Sequence, residues 1–544
     1  MKKYKSYLPL VLLIFLGIIP LFDLFHSGLP ITHDGQDHIA RIANFYQNLT
    51  DGNIIPRWAP NLNWGYGHPI LMFLYPFPSY ISSFFHFLGF SLVDSFKIVL
   101  GITFILSGIF MYLWVKEFLG TEGGLLGAFL YMFAPYRFVD LYVRGDIGEH
   151  VAFAFIPLVL YFILKLSKKK SFLYIAGGAI SIAGLMLSHN AMVLMFFPII
   201  ILYILYLHFF SKTSKNFLVN SLFLLILGFG ISSFFWIPAF FEGKYTLRDI
   251  VTSGEYKSRF VNFKNLIYGP WSYGITGQFT VQIGILHLIL TILALPASVF
   301  LYVRKNKLWI FSLGLFLILL ISLFLMLPYS NFIWEKIRLL QKFQFPWRFL
   351  AISVFATSVI GGLVLSILPK QYKLFALFIF LVGVFVFNKD YWHAKGFLVK
   401  PETFYKGVYN STTDTGESSP IWSVRFMEKR PRAHIEVISG KANIQETFRN
   451  STKHEYIINS LGQARIKENT LYFPGWSVKV DGVPVSLQFQ DPNSRGLMTF
   501  FIPQGKHVIT VIFGETRLRL LADFLSVVSM ILILWFLRLG FRRV

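Results

Sequence analysis

Twelve runs of mostly apolar residues, each roughly 17 to 25 long and so able to cross a bilayer as a helix, restrict this chain to a polytopic α-helical membrane protein. They lie near 6–25, 97–116, 121–137, 150–167, 171–188, 191–210, 217–240, 280–303, 308–328, 347–368, 372–388 and 518–537. Composition agrees: hydrophobic residues are 55% of the 544 positions and charged ones only 14%, outside the range of soluble domains. A further apolar stretch, 70–88, is interrupted by Pro76, Pro78, Ser82, Ser83 and His86, and reads as a re-entrant or interfacial piece. The first run follows a basic start but precedes no small-residue cleavage site, so it is expected to remain as an uncleaved span.

Charge sets the expected orientation. Lys and Arg number 50 against 27 acids, a net charge of +23. In a soluble protein that excess would suggest a nucleic-acid partner. Here the basic residues sit in short connections between apolar runs, the positive-inside pattern, and no nucleic acid is expected. With 70–88 not crossing, Lys2, Lys3, Lys5, Lys116, Lys165, Lys168, Lys169, Lys170, Lys212, Lys215, Arg304, Lys305, Lys307, Lys370, Lys373, Arg538, Arg542 and Arg543 all fall on one side. That side is then the cytoplasm, with both termini in it, and the protein is expected in the cytoplasmic membrane. The external segments would be 26–95, 137–149, 242–279, 329–347 and 389–516. The second half of the last one alternates apolar and polar residues around Asp481–Gly482 and Gln504–Gly505, as antiparallel hairpins do. A small, mostly β domain over 389–516, a β-sandwich, is expected, tethered by a final helix and basic tail over 517–544. With no cysteine there is no disulfide framework or thiolate metal site. No phosphate-cradling glycine loop, zinc spacing or Ser-His-Asp signal occurs.

The chemistry-bearing residues gather in the external segments. Asp34, Asp37, His38 and Arg41 share one face of an amphipathic helix, opposite Ile39, Ile42, Ala43, Tyr46 and Leu49. Asp34 also suits an N-cap with Asp37 in the first turn. Capping accounts for one carboxylate but not for a second acid, a histidine and an arginine beside a membrane, where unpaired ionisable groups are costly. Arg144, Asp146, Glu149 and His150 form a second cluster, with Gly145 and Gly148 able to admit a ligand close to the backbone and Asp146 equally able to cap a helix. His189–Asn190 lies on the same side and reads as a turn or a ligand. In 331–350, Trp334, Ile337, Leu339 and Leu340 suit an interfacial anchor, while Lys336, Arg338, Lys342 and Arg348 could clamp a lipid-linked phosphate. The same choice applies to Arg57. Trp58, Trp64, Tyr66 and Tyr75 read either as sugar-stacking rings or as an interfacial aromatic belt.

Asp34 and Asp37 in the first external loop, then DGNIIPRWAPNLNWGYGHPILMFLYPFP, QFPWRFL, and YFPGWSVKVDG before a last helix carry a resemblance to a known family. The layout resembles the YfhO-like, 6-pyruvoyl-tetrahydropterin synthase-related integral membrane proteins, which in turn resemble the GT-C glycosyltransferases. The resemblance implies no pterin chemistry. It implies inverting transfer of a sugar from a polyprenyl-phosphate donor to a cell-envelope acceptor, whether polymer, glycolipid or protein, at the outer face. An acid of the first loop would be general base, which maps onto Asp34 or onto Asp37; Gly35 and Gln36 separate the two, a departure from the commoner adjacent pair. His38, Arg57, Arg144, Asp146, Glu149, His150, His189 and Arg348 are the expected substrate-binding set, with Arg144, Arg348 or Arg57 meeting the leaving phosphate. A Mg or Mn ion held by Asp37 with Asp146 or Glu149 could meet it instead. Two other functions fit the same residues: a transporter or flippase of lipid-linked saccharides, which predicts broken helices with midplane charges, and a non-catalytic envelope assembly protein.

Overall fold

The structure is a computed structural model and describes residues 7–274 and 279–541. Lys2, Lys3, Lys5, Arg542 and Arg543 lie outside the described residues. Among those described, nine helices are long and apolar enough to cross a membrane. A bent pair, Phe217–Ile231 and Ser233–Tyr245, meets at 72° and makes a tenth if it is one span. One of the nine, Leu92–Phe133, has 42 residues, about twice what a bilayer needs. It is a helical hairpin. Gly120 leaves helical geometry at φ 78°, and the chain then runs back on itself, so that Gly124 packs on Lys116, Gly127 on Val115 and Gly108 on Met132. The remaining apolar run forms the shorter helix Phe172–Met186, packed beside Ile147–Lys168 and Phe217–Ile231. Each of the twelve runs thus corresponds to a helical segment. The 70–88 stretch forms two short helices, Ile70–Phe73 and Phe77–Phe87, broken at Leu74, neither of them long enough to cross a bilayer by itself.

The bundle packs on a small-residue seam. A Cβ on Gly123 would come within 2.9 Å of the Gly362 carbonyl oxygen, and one on Gly127 within 3.4 Å of that of Ser358. Where lipid is as apolar as leucine, such close approach is what draws helices together. It fixes the Leu350–Ile367 helix, almost wholly buried, as the central element. At one end of the bundle four connections are tied to each other. Glu117 pairs with Lys165 and Lys168, the Ser214 amide donates to the Ser167 carbonyl, and Lys307 donates to the Phe210 carbonyl.

The opposite end carries the rest. Strands β1 (Ile435–Ser439), β2 (Ala442–Arg449), β3 (Lys453–Ser460), β4 (Ala464–Leu471), β5 (Trp476–Val480), β6 (Val483–Val485), β7 (Leu497–Ile502) and β8 (Gly505–Phe513) form two antiparallel sheets. Their orders are β2-β3-β8-β5-β6 and β1-β4-β7, and the facing sides share a core of Tyr456, Ile458, Ile466, Phe500, Ile509 and Val511. The β5–β6 hairpin turns at Asp481–Gly482, both at positive φ as a two-residue type I′ turn requires. Gln504–Gly505 is not a hairpin: β7 pairs with β4 and β8 with β3 and β5, so the chain crosses between sheets there. Both connections look alike in sequence because alternation reports which side faces the core and not which strand is the neighbour. Sheet structure of this domain begins only at Ile435. Residues 389–434 hold a two-residue strand and one short helix and run back beneath the domain. The sandwich core continues into the first loop through Trp58, Met72 and Phe73, and Trp58 meets Trp476 edge-on at 5.3 Å. This seats the domain on the bundle.

Candidate functional site

The two acidic clusters are brought together by backbone pairing. The His33 and Asp34 amides donate to the carbonyls of Val143 and Arg144 at 2.9 and 2.8 Å. The pairing needs Gly145, which sits at φ 68° and where a Cβ would run into the Thr32 hydroxyl. The glycine therefore admits protein and not ligand, and Gly148 likewise makes room for the Tyr75 ring. Thr32 caps the Gly35–Thr50 helix, its hydroxyl accepting from the Gly35 amide at 3.2 Å. Asp34 occupies the N-cap position, yet its carboxylate makes no capping bond and, among the described residues, no side-chain hydrogen bond. It is half-buried and faces a cavity of about 570 Å³.

Asp146, by contrast, is fully engaged. It accepts from the Glu149 amide at 3.0 Å as the cap of Ile147–Lys168, from the Tyr75 hydroxyl at 3.2 Å, and from Arg144. Arg144 also donates to Asp140 and to Glu149, and its guanidinium lies 4.6 Å from the Trp347 ring. Burial disfavours the Asp146 charge, but Arg144 outweighs it and holds the carboxyl well below the usual carboxylate range. His189 caps Asn190–Phe210 by accepting the Met192 amide on Nδ1 at 3.3 Å, which leaves Nε2 as the protonated nitrogen, 3.7 Å from Asp146. Burial pushes His189 down to about 4 despite that carboxylate, and burial together with Arg41 pushes His38 down to about 3. Both rings are neutral at pH 7. Asp34 and Asp37 are raised by burial, an effect that nearby arginines only partly offset. Asp37 accepts from the Tyr409 hydroxyl at 3.0 Å.

Acids and bases both line the cavity: Asp34, Asp37, His38, Arg41, Arg144, Asp146 and His189, with Arg248, Arg259, Lys342 and Arg348 and the carboxylates of Asp414 and Glu417. Arg348 donates through one amino nitrogen to the Phe343 carbonyl at 2.8 Å and stacks over Phe345, but its buried Nε has no partner among the described residues. Ala191 and Leu194, in the opening turns of the Asn190–Phe210 span, also line the cavity, and Leu194 is 42% exposed on that helix. The cavity thus opens where a bilayer-crossing helix begins.

Of the residues singled out in the sequence, Asp34, Asp37, His38, Arg41, Tyr75, Arg144, Asp146, His189, Asn190, Lys342 and Arg348 line this cavity. Arg57, Glu149 and His150 do not. Arg57 is buried and pairs with Glu515 at 2.9 Å and Asp523 at 2.7 Å, tying the first loop to the start of the last helix. Glu149 lies beneath the cavity floor, bonded to Arg144 and Tyr136. His150 is buried against Phe104 and faces the Leu100 carbonyl at 3.1 Å. The expected cation set is not assembled either. Asp37 points to Tyr409; the three groups whose ligand atoms come within 4.8 Å of each other are Asp146, Glu149 and His189, and Arg144 already donates to both carboxylates. Trp334 is no surface anchor: it is buried and stacks on Tyr256 at 5.2 Å. Sequence reasoning missed the 411–419 loop, which lines the cavity with Thr413, Asp414, Thr415, Glu417 and Ser418. Thr413, β-branched, is held at φ 66° with its hydroxyl accepting from Arg41 Nε at 2.8 Å. Across from it Gln344 is at φ 61° and donates to Glu417 at 3.2 Å. Strained residues of this kind persist where surrounding structure over-determines them, commonly at functional sites.

A protein of Lactococcus lactis subsp. cremoris (strain MG1363), itself uncharacterised, is 27% identical over 284 residues, 50% of this chain and 45% of its own length. The chain thus spans less than half of that relative. Among solved structures it is similar to the arabinofuranosyltransferase AftD from Mycobacteria, at 14% identity and a TM-score of 0.46 over 73% of this chain and 28% of that one. It is also similar to the oligosaccharyltransferase of Archaeoglobus fulgidus (14%, TM-score 0.41, 75% and 58%) and to ArnT from Cupriavidus metallidurans bound to undecaprenyl phosphate (12%, TM-score 0.37, 73% and 67%). None of the three reaches a TM-score of 0.5, and none is a guide to this chain's substrate. The family described as 6-pyruvoyl-tetrahydropterin synthase related domain, membrane protein, matches residues 71–392, more than half of the chain, and the chain belongs to that family.

Proposed function

We propose that the protein is a membrane glycosyltransferase that moves a sugar from a polyprenyl-phosphate-linked donor to a cell-envelope acceptor, with Asp34 as general base. The observation that carries this reading is the free Asp34 carboxylate in a cavity that also holds Arg348 and opens beside a bilayer-crossing helix. A sugar hydroxyl is a weak nucleophile, and a carboxylate taking its proton in the transition state contributes about 100- to 10,000-fold. The acceptor oxygen attacks the anomeric carbon opposite the phosphate, the proton passes to Asp34, and the carbon–oxygen bond to the phosphate breaks with its electron pair on the leaving group. Arg348, with Arg259 and Lys342 in the same cavity, would meet the charge that develops there. Leu194 and the neighbouring apolar lining suit the first isoprene units. Asp37, bonded to Tyr409, orients the acceptor in this reading, and Arg144, paired with Asp140, Asp146 and Glu149, holds that wall of the site in place. The cavity then lies on the outer face of the cytoplasmic membrane, with both termini inside.

The test is incorporation of labelled sugar into envelope fractions of cells carrying the native protein or Asp34→Asn at equal membrane abundance. A labelled product present only with the native chain is expected, and its chemical class identifies the acceptor. Equal labelling in both removes Asp34 from the chemistry.

A further inference from the structure

A second cavity of about 520 Å³ lies where the first loop, the 430–435 connection and strand β2 meet, and it shares no lining residue with the first. Its size is that of a small-ligand pocket. Three arginines line it, Arg430, Arg432 and Arg449, with one carboxylate, Glu446, which is paired with His434 at 2.8 Å and with Arg449 at 3.8 Å. Arg430 and Arg432 are exposed; Arg430 donates to the Val408 carbonyl at 3.2 Å, and Arg432 makes no hydrogen bond or ion pair among the described residues.

Arg449 is held from behind. It donates to Tyr456 at 2.8 Å and to Glu468 at 3.2 Å, while its side chain stays 20% exposed at the cavity wall. Glu468 is fully buried in the sandwich, where it also faces His454 at 3.0 Å and accepts from Tyr456 at 2.8 Å. An ionised carboxylate inside an apolar sandwich is costly, and apolar residues of similar volume would serve folding as well or better. Its effect here is to fix one guanidinium in place.

Facing these cations is Trp64, half-buried, with its backbone in the left-handed region at φ 63° and ψ 17°. A bulky residue there is a genuine outlier. The neighbours impose it: the Trp64 amide donates to the Tyr409 carbonyl at 2.9 Å, and the preceding Asn63 side chain accepts from the Met427 amide at 3.0 Å. Trp64 consequently lines the cavity while packing, only partly buried, against the edge of the sandwich core in which Trp58 is fully buried.

We propose that this groove binds an anionic saccharide, a sugar ring lying on Trp64 and its phosphate or carboxylate held by Arg430, Arg432 and Arg449. Aromatic faces accept sugar rings, and guanidinium groups match both anions in paired hydrogen bonds. The inference is independent of the transferase reading, although the groove is only one strand of chain from the first cavity. Tyr409, whose backbone pairs with Asn61 and Trp64 on the groove side, sends its hydroxyl to Asp37 on the other.

The test measures binding of three fluorescent probes to the full-length protein in detergent: pentamannose 6-phosphate, a galacturonate pentamer, and unphosphorylated pentamannose. At least one charged probe is expected to bind with an affinity that falls as salt rises, and neutral pentamannose at least about tenfold more weakly. Arg430→Gln with Arg432→Gln should weaken the charged probe by about tenfold or more, the loss of roughly one charge-assisted contact. Trp64→Asn, which keeps a residue tolerant of the left-handed conformation, should do the same with an unchanged unfolding temperature. Whichever charged probe binds more tightly identifies the anion. Binding of neither charged probe, equal binding of the neutral one, native affinity in both variants, or loss of binding in Asp34→Asn, which would put the probe in the first cavity, overturns the proposal.

Discussion

Asp34 combines two properties that conflict: it is half-buried, and among the described residues its carboxylate has no hydrogen-bond donor. Burial raises its pKa above the ordinary aspartate value of 3.8. The folded chain therefore binds this proton more tightly than the unfolded one. The sign follows by linkage: folding is favoured most below the ordinary value, loses stability as pH rises towards the raised one, and stays lower beyond it. Transfer needs the ionised form, so the acid limb of the pH–rate profile should lie above 3.8. Asp34→Asn should lower transfer by about 100- to 10,000-fold while leaving the unfolding temperature equal or higher, since the cost of the charge is gone. A fall in both would mean a structural acid. Arg144 supports a second prediction. Because it donates to Asp146 and Glu149, a cation at Asp146, Glu149 and His189 would have to displace it, so chelation should leave the transfer rate unchanged. A rate abolished by chelator and restored by Mg or Mn would overturn this. The acids themselves were legible in sequence, as charge clustered beside apolar runs. Which of them is free was not, because Thr32 takes the capping role that the sequence equally allowed to Asp34.

At the scale of elements, the cavity depends on two loops meeting edge to edge, and Gly145 is the residue that lets them. A side chain there would be left-handed, at a cost of about 1–2 kcal/mol, and would meet the Thr32 hydroxyl. Gly145→Ala should lower the unfolding temperature and reduce transfer together, by moving Asp34. A variant with native stability and native rate would show that the pairing is dispensable. Gly145 stood out in sequence, but as room for a ligand; a glycine announces close approach without saying of what. The apolar runs were the most legible elements, since a bilayer imposes their length, and even the turn within Leu92–Phe133 is marked by Gly120. The 411–419 loop was the least. Its Thr, Asp, Gly and Ser residues match any surface turn, and only the fold brings Thr413 to Arg41 from 372 positions away.

The whole molecule is asymmetric along the bundle axis. Both cavities and the sandwich occupy one end, and the connections carrying Lys116, Lys165, Lys168 and Lys307 are linked at the other. The positive-inside bias predicts that the end carrying these basic connections faces the cytoplasm. On that orientation the proposed transferase would meet its donor lipid from the outer leaflet, and the groove would lie in reach of envelope polymers. Absence of cysteine makes this directly measurable. Single cysteines at Asn443, exposed on β2, and at Arg304, exposed in the connection after Ile285–Val303, should behave oppositely towards a membrane-impermeant maleimide. In intact cells Asn443→Cys should label and Arg304→Cys should label only after permeabilisation. The reverse pattern would put both cavities inside the cell and remove the outer-face acceptor from the reading, while leaving Asp34 and its cavity as candidates for transfer to a cytoplasmic one.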